Sequence, residues 1–185
     1  MLWVVIAIVL VLIIGGWAVA QYNALVRLRN LVQEAWHQID TELQRRHDLI
    51  PNLVETVKGY AKHERETLEA VTAARAAAVA PGSSPAEQAQ QENVLTQALG
   101  KLFALAEAYP DLKANQNFLQ LQTELTNTED RVAAGRRFYN ANVRELNTKI
   151  ETFPTSIIAN MFKFVKAEYF ETQDPTARQA PSVQF

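Results

Sequence analysis

Residues Leu2–Ala20 read LWVVIAIVLVLIIGGWAVA, nineteen positions without a charged or strongly polar side chain. A helix of this length rises about 28 Å, close to the thickness of the hydrocarbon core of a bilayer. A helix buried in a soluble core normally keeps one polar face, whereas this stretch is apolar on every face. Trp3 and Trp17 lie near its ends, where indole rings favour the membrane interface. The stretch therefore predicts a transmembrane anchor over residues 1–21, embedded in the lipid bilayer through residues 2–20.

A cleaved signal peptide is the alternative, because Ala18-Val19-Ala20 has the form of a cleavage site. Against it, the basic segment that begins a signal peptide is missing, and the apolar run is long for one.

The flanking charges predict the orientation. No Lys or Arg precedes the span, whereas Arg27 and Arg29 follow it. The positive-inside rule then predicts an N-terminus outside and a cytoplasmic domain.

Composition narrows the classes of function. Lys and Arg number 18 against 20 Asp and Glu, and the formal net charge is −2. This balance lacks the basic footprint of a nucleic-acid-binding protein. The chain has no Cys, which excludes disulfides, thiolate metal ligands and a thiol nucleophile within it. About 150 residues remain beyond the anchor, the size of one domain. We expect a helical domain over residues 22–170 and a flexible tail over residues 171–185.

Helical periodicity continues beyond the anchor, and no stretch alternates for long enough to predict a strand. Apolar residues recur in steps of three and four, which makes one helical stripe: Leu25, Leu28, Val32, Trp36, Ile39 and Leu43. Pro51 removes a helical hydrogen bond, so we expect a kink or short break near residues 48–51. Asp48 is then a candidate cap for the helix that follows.

Turn signals divide the rest of the chain. Ser84, Pro85 and Glu87 form the capping-box pattern of a helix that runs to about Ala108. The inward stripe expected for that helix is Val94, Leu95, Leu99, Leu102, Phe103 and Leu105. The longest stripe runs from Phe118 to Phe153, before Pro154. Residues 155–168 predict a short apolar helix that caps the bundle, or else contacts the bilayer surface or a second protomer.

These elements predict an all-α fold. The N-terminal transmembrane helix is followed by an antiparallel bundle of about four long helices and a short C-terminal helix. The longest predicted helix exceeds thirty residues, or about 50 Å.

The ordered motifs of the chain resemble those of the LemA family of bacterial membrane-anchored helical proteins. The densest match is RRHDLIPNLV at residues 45–54. Further matches are YNALV at 22–26, AW at 35–36, VKGYA at 57–61, YPDLKAN at 109–115, NF at 117–118, TE at 128–129, YN at 139–140, FP at 153–154 and PSVQF at 181–185. The resemblance implies a short anchor with its N-terminus outside, a long-helix bundle inside and a loose association with envelope maintenance. It implies no established enzyme activity.

Candidate contact residues lie beside the core stripes. Arg45 and Arg46 are candidates for binding acidic groups of a partner or lipid headgroups, and Asp48 either joins them or caps a helix. Asn115 and Asn117 either shape the turn into the longest helix or bind a partner. Phe185 ends the chain as Val183-x-Phe185, a form that carboxylate-capturing domains recognise, although a plain tail is the alternative.

Catalytic motifs are scarce. A di-iron bundle needs Glu-x-x-His on two helices, and the sequence has a single copy at Glu34–His37. We therefore expect no catalysis, no cofactor and no metal.

The favoured function is a self-associating scaffold or adaptor of the bacterial inner membrane, a homo-oligomer that also holds other envelope membrane proteins. A signalling or stress sensor is the alternative, disfavoured because only Met1 precedes the span. A metal-dependent enzyme in the bundle is a third hypothesis.

Overall fold

The computed structural model describes residues 1–171, and every regular element in that part of the chain is a helix. This confirms the all-α prediction. In chain order the helices are α1 (Leu2–Tyr60), α2 (Arg65–Ala78), α3 (Pro85–Ala106), α4 (Pro110–Lys113), α5 (Gln116–Glu151) and α6 (Thr155–Met161).

The chain forms two compact units, to which α1 and α5 both contribute. Unit 1 comprises Met1–Asp40 and Ala133–Glu168, and unit 2 comprises Thr41–Val132 with residues 169–171. Each unit is described separately below.

In unit 1, α1 and α5 run antiparallel. The rings of Trp36 and Tyr139 lie 5.4 Å apart, and Gly135 faces Ile39. The helices approach closely there, because a Cβ on Gly135 would lie 3.0 Å from Cγ1 of Ile39. The packed positions follow the predicted stripes except that Ala35 is buried where Trp36 was expected, and Trp36 is only partly buried. The buried side chains are Leu25, Leu28, Val32, Ala35, Ile39, Tyr139, Val143, Leu146 and Ile150.

The beginning of α1 differs from the rest of unit 1. It is long and apolar enough to cross a membrane, and its apolar stretch is not buried within the protein. The first fully buried side chain is Leu25, five residues beyond the span that the sequence predicts. A helix that exposes so many large apolar side chains requires an apolar surrounding.

The predicted helix over residues 155–168 is shorter than expected. α6 ends at Met161, and Lys163 has a φ of 55°. Beyond it the backbone bonds to side chains of α5. Asn147 donates from Nδ2 to the Ala167 carbonyl and accepts the Ala167 N–H at Oδ1, both at 2.9 Å. These local partners replace the bonds that a longer helix would have made.

Tyr139 also bonds to this segment, at the residue that follows Ala167. Its hydroxyl donates to the Glu168 carbonyl over 2.8 Å. Burial of the phenol, together with the negative charge of Glu168, raises the pKa of Tyr139 to about 12. The hydroxyl therefore remains a hydrogen-bond donor throughout the physiological pH range.

In unit 2, α2 and α3 form a hairpin on one apolar core with α4 and the adjoining parts of α1 and α5. The predicted capping box is confirmed: Ser84 N–H donates to Glu87 Oε2 over 2.9 Å, and Glu87 N–H donates to Ser84 Oγ over 3.4 Å. Gly82 in the connecting turn has a φ of 90°, which a residue with a Cβ adopts only under strain. The turn chemistry thus fixes where α3 begins.

Two positions expected in the core are exposed. Val94 on α3 was expected to point inward, yet it is 56% exposed, whereas Leu95, Leu99 and Leu102 are buried as predicted. Phe153, placed at the end of the longest stripe, is 76% exposed and lies beyond the end of α5. The prediction for Phe153 fails because α5 ends before it, and the prediction for Val94 fails because it is out of step with the buried stripe of Glu92, Leu95 and Leu99.

Of the kink or short break expected near residues 48–51, the break is absent, because α1 continues through Pro51 to Tyr60. Pro51 has no N–H to donate to the His47 carbonyl four residues earlier. Arg75 of α2 supplies the missing donor, with Nε 2.7 Å from that oxygen. Asp48 consequently caps no helix, and its carboxylate instead accepts a bond from Gln44 over 2.9 Å. A tertiary contact therefore compensates for the proline.

This compensation predicts the effect of removing the Arg75 donor. Arg75→Met should lower the free energy of unfolding by about 1–3 kcal/mol, because the His47 carbonyl loses its partner. In a Pro51→Ala background the loss should shrink, since residue 51 then donates within the helix. Urea denaturation of the protein in detergent measures both values. Arg65→Met on α2 is the matched control, and equal losses in the two backgrounds would contradict the explanation.

Candidate functional site

A cluster of charged and polar side chains lies inside unit 2, and we call it the polar cluster: Arg46, His47, Glu92, Thr96 and Glu129. Arg46 and His47 come from α1, Glu92 and Thr96 from α3, and Glu129 from α5. The side chains of Arg46, His47 and Glu92 are buried. Three helices of the unit are therefore joined by ionic and polar contacts.

Arg46 lies at the centre of the polar cluster. Its Nη1 lies 2.8 Å from Glu92 Oε2, and its Nη2 lies 2.8 Å from Glu129 Oε2. Nη2 also donates to Thr96 Oγ1 over 2.7 Å. Burying a guanidinium is costly unless its charge and donors are paired, and here two carboxylates and a hydroxyl meet it.

Glu92 is satisfied at both oxygens. Besides the contact of Oε2 with Arg46, its Oε1 lies 2.7 Å from His47 Nε2 and accepts a bond from Gln88 Nε2 over 3.1 Å. Gln88 Nε2 also lies 2.9 Å from the carbonyl of Ala78 at the end of α2. The carboxylate on α3 therefore holds α1 directly and is linked to α2 through Gln88.

A cavity of about 230 Å³ adjoins Arg46. Its walls are largely apolar, and its charged side chains are Arg46, Glu129 and Asp130. Because the guanidinium is already engaged by two carboxylates, it offers no free charge to an anionic ligand. Within residues 1–171, no group of three or more His, Cys, Asp or Glu side chains is arranged to hold a metal ion. The buried charges of the polar cluster are all paired within it.

The arginines predicted to contact a partner or lipid have different surroundings. Arg46 is enclosed in the polar cluster, and its guanidinium is already paired with Glu92, Glu129 and Thr96. Arg45 points outward, with its side chain about half exposed and 3.5 Å from Glu124 Oε2. The prediction of an external contact therefore remains for Arg45, and Asp48 lies near it on α1.

The two predicted asparagines lie where α5 begins. Asn115 Oδ1 accepts the Phe118 N–H over 3.0 Å and thereby caps α5, while its Nδ2 donates to the Tyr60 hydroxyl over 2.9 Å. Asn117 is exposed in the first turn of α5. The turn-shaping role is seen for Asn115, and binding by either residue stays a prediction. Phe185 lies outside the described residues.

Sequence reasoning missed Glu92, Thr96, Glu129 and Arg75. One local signal was available for Glu92, which is in step with Leu95, Leu99 and Leu102 on the inward stripe of α3. A charged residue at such a position indicates a buried ion pair. Nothing local identifies the partner, because Arg46 lies 46 positions away in the chain.

Comparison with known proteins adds an independent observation. A family model described as the LemA family matches residues 35–185. Protein LemA of Metamycoplasma hominis is 31% identical over 159 residues, which cover 84% of this chain and 71% of that protein. Magnetosome proteins MamQ 1 and MamQ 2 of Paramagnetospirillum magneticum are each 26% identical over 176 residues, covering 82% of this chain and 65% of theirs. The chain thus spans somewhat less than two thirds of the magnetosome proteins it resembles.

The polar cluster predicts a contrast between neighbouring arginines. Arg46→Ala should lower the free energy of unfolding by about 3–5 kcal/mol, because it leaves buried Glu92 without its charged partner. Arg45→Ala, the matched control, should cost less than about 1 kcal/mol, since its ion pair is solvent-exposed. Urea denaturation followed by circular dichroism measures both. Similar losses for the two variants would show that the polar cluster does not stabilise unit 2.

Proposed function

The chain belongs to the LemA family, and on that premise we propose that it is a membrane-anchored helical scaffold of the bacterial cell envelope. In this proposal it associates with copies of itself and holds other envelope membrane proteins beside the bilayer. No catalytic step, cofactor or metal is part of the proposed function.

One observation carries the proposal: α1 is a single helix from Leu2 to Tyr60. Its first part has the length and composition of a membrane span. Its remaining part supplies Leu25, Leu28 and Ile39 to unit 1, and Ile50 and Leu53 to unit 2. Because no loop separates the apolar span from these packed segments, the helical units and whatever they hold stay attached to the membrane.

The interior of unit 2 supports a structural rather than a reactive role. The buried ionisable groups of the polar cluster are paired with one another, and each contact joins different helices. Buried charges arranged in this way fix the register of a helical bundle. A rigid bundle with a defined register presents the same surface to each partner, as a scaffold requires.

We place the protein in the inner membrane with its N-terminus outside and its helical domain in the cytoplasm. Support comes from Arg27 and Arg29, which are exposed close behind the span, because basic residues favour the cytoplasmic side.

Thiol labelling tests this orientation, since the chain has no Cys of its own. Val79→Cys, exposed at the end of α2, should resist a membrane-impermeant maleimide in intact spheroplasts and react after lysis. A reporter cysteine on a known periplasmic protein is the control for reagent access. Labelling of Val79→Cys in intact cells would reverse the proposed orientation.

Self-association is tested on the purified full-length chain by native mass spectrometry in detergent. We expect a defined oligomer at micromolar concentration, and we expect it to persist when residues 2–20 are all replaced by leucine, because the helical units hold the copies together. In-cell crosslinking should then capture identified envelope membrane proteins that also co-purify. A monomer that captures only soluble proteins would contradict the scaffold.

A further inference from the structure

The C-terminal part of unit 1 lies against the end of the membrane span. Thr155 at the start of α6 donates from Oγ1 to Gln21 Oε1 over 3.3 Å. The ring of Tyr22 lies 4.7 Å from that of Phe162 and 5.9 Å from that of Phe164. Gln21 and Tyr22 directly follow the span, so α6 and the residues after it lie at the membrane boundary.

The outward side of this region is apolar, and we call it the apolar patch: Phe153, Ile157, Met161, Phe162 and Val165. Each of these side chains is more than half exposed, and Val165 reaches 80%. The inward side of α6 is already occupied, because Ile158 and Ala159 are buried. The apolar patch is therefore surplus to the packing of unit 1, and an exposed group of this kind marks an interaction surface.

Cationic side chains accompany the apolar patch. Lys163 and Lys166 lie within the same segment and are exposed, and Lys166 pairs with Glu151. On α1, the guanidinium of Arg29 lies 5.4 Å from the centre of the Phe164 ring. Large apolar side chains with interspersed cations are the composition of segments that bind at the surface of anionic bilayers.

We propose that the apolar patch is a second membrane contact, inserted into the interfacial layer of the leaflet that Gln21 borders. The apolar patch adjoins the end of the membrane span, and for this reason we assign lipid, rather than a second copy of the chain, as its binding partner. The contacts to Gln21 and Tyr22 place the patch beside a headgroup layer roughly 5–7 Å thick, within reach of Met161 and Phe162. The inference rests on the membrane anchoring in the proposed function, not on the scaffold role itself.

Two points of contact restrain a chain more than a single helix does. A lone span is free to rotate about its axis and to tilt. An inserted apolar patch fixes both, because the patch side of unit 1 has to face the bilayer. The chemistry of the ligand is that of a phospholipid interface: acyl chains for the apolar side chains and phosphate groups for Lys163 and its neighbours.

The experiment uses single-cysteine variants of the full-length protein, labelled with the fluorophore NBD in liposomes of phosphatidylcholine and phosphatidylglycerol. Met161→Cys and Val165→Cys report on the patch. Val79→Cys, exposed in unit 2, is the aqueous control, and Val9→Cys within the span reports on anchoring. Circular dichroism verifies that each variant keeps its helix content. Iodide in the buffer and nitroxide-labelled lipid are the two quenchers.

We expect the labels at 161 and 165 to show blue-shifted emission, loss of quenching by iodide and quenching by headgroup-labelled lipid, while the label at 79 shows the opposite. Iodide quenching at 161 and 165 equal to that at 79, with the label at 9 protected, would overturn the membrane contact and leave the anchor intact. Iodide access at position 9 would overturn both.

A second copy of the chain is the remaining occupant of the apolar patch, and the same samples distinguish it. If another protomer covered the patch, the labels at 161 and 165 would escape lipid quenching, and their emission would change on dilution with unlabelled protein. That result would overturn the proposal. Lipid quenching that is independent of dilution supports it.

Discussion

Pro51 leaves the His47 carbonyl without its usual helical donor, and Arg75 of α2 supplies a hydrogen bond in its place, next to the buried charges of unit 2. A helix that ended at this point would turn Leu53 and Val57 away from the core that they share with Ile50. It would also disturb Arg46 and His47, one turn earlier, whose partners lie on other helices. The guanidinium of Arg75 thus supports α1 beside the residues that form the buried charge pairs.

The sequence patterns correctly predicted those features of the fold that depend on interactions between residues close together in the chain. The capping box of Ser84 and Glu87, the stripes of α1 and α5 and the all-helical class depend on side chains a few positions apart. What local patterns left open or missed depends on distant groups: Arg75 bonds to the carbonyl that Pro51 leaves without a helical donor, and the early end of α6 accompanies bonds to Asn147 and Tyr139 on α5. The polar cluster could not be predicted from local patterns, because Arg46 and Glu92 come into contact only in the folded chain.

The side chains of α1 change in character along the helix. α1 begins with side chains suited only to an apolar surrounding, continues with an ordinary amphipathic stripe and then carries a buried guanidinium. Membership of the LemA family agrees with a membrane-associated helical protein, and relatives named as magnetosome proteins share the sequence pattern. The buried charges of the polar cluster join α1, α3 and α5 within unit 2.

The attachment of residues 167 and 168 to α5 has an evolutionary consequence. Asn147 bonds to the N–H and carbonyl of Ala167, and Tyr139 bonds to the carbonyl of Glu168, so both recognise main chain rather than side chain. Almost any residue except proline at 167 would be held equally well. The outward side chains of the segment are thereby free to diverge between lineages while the attachment of the segment to α5 is retained.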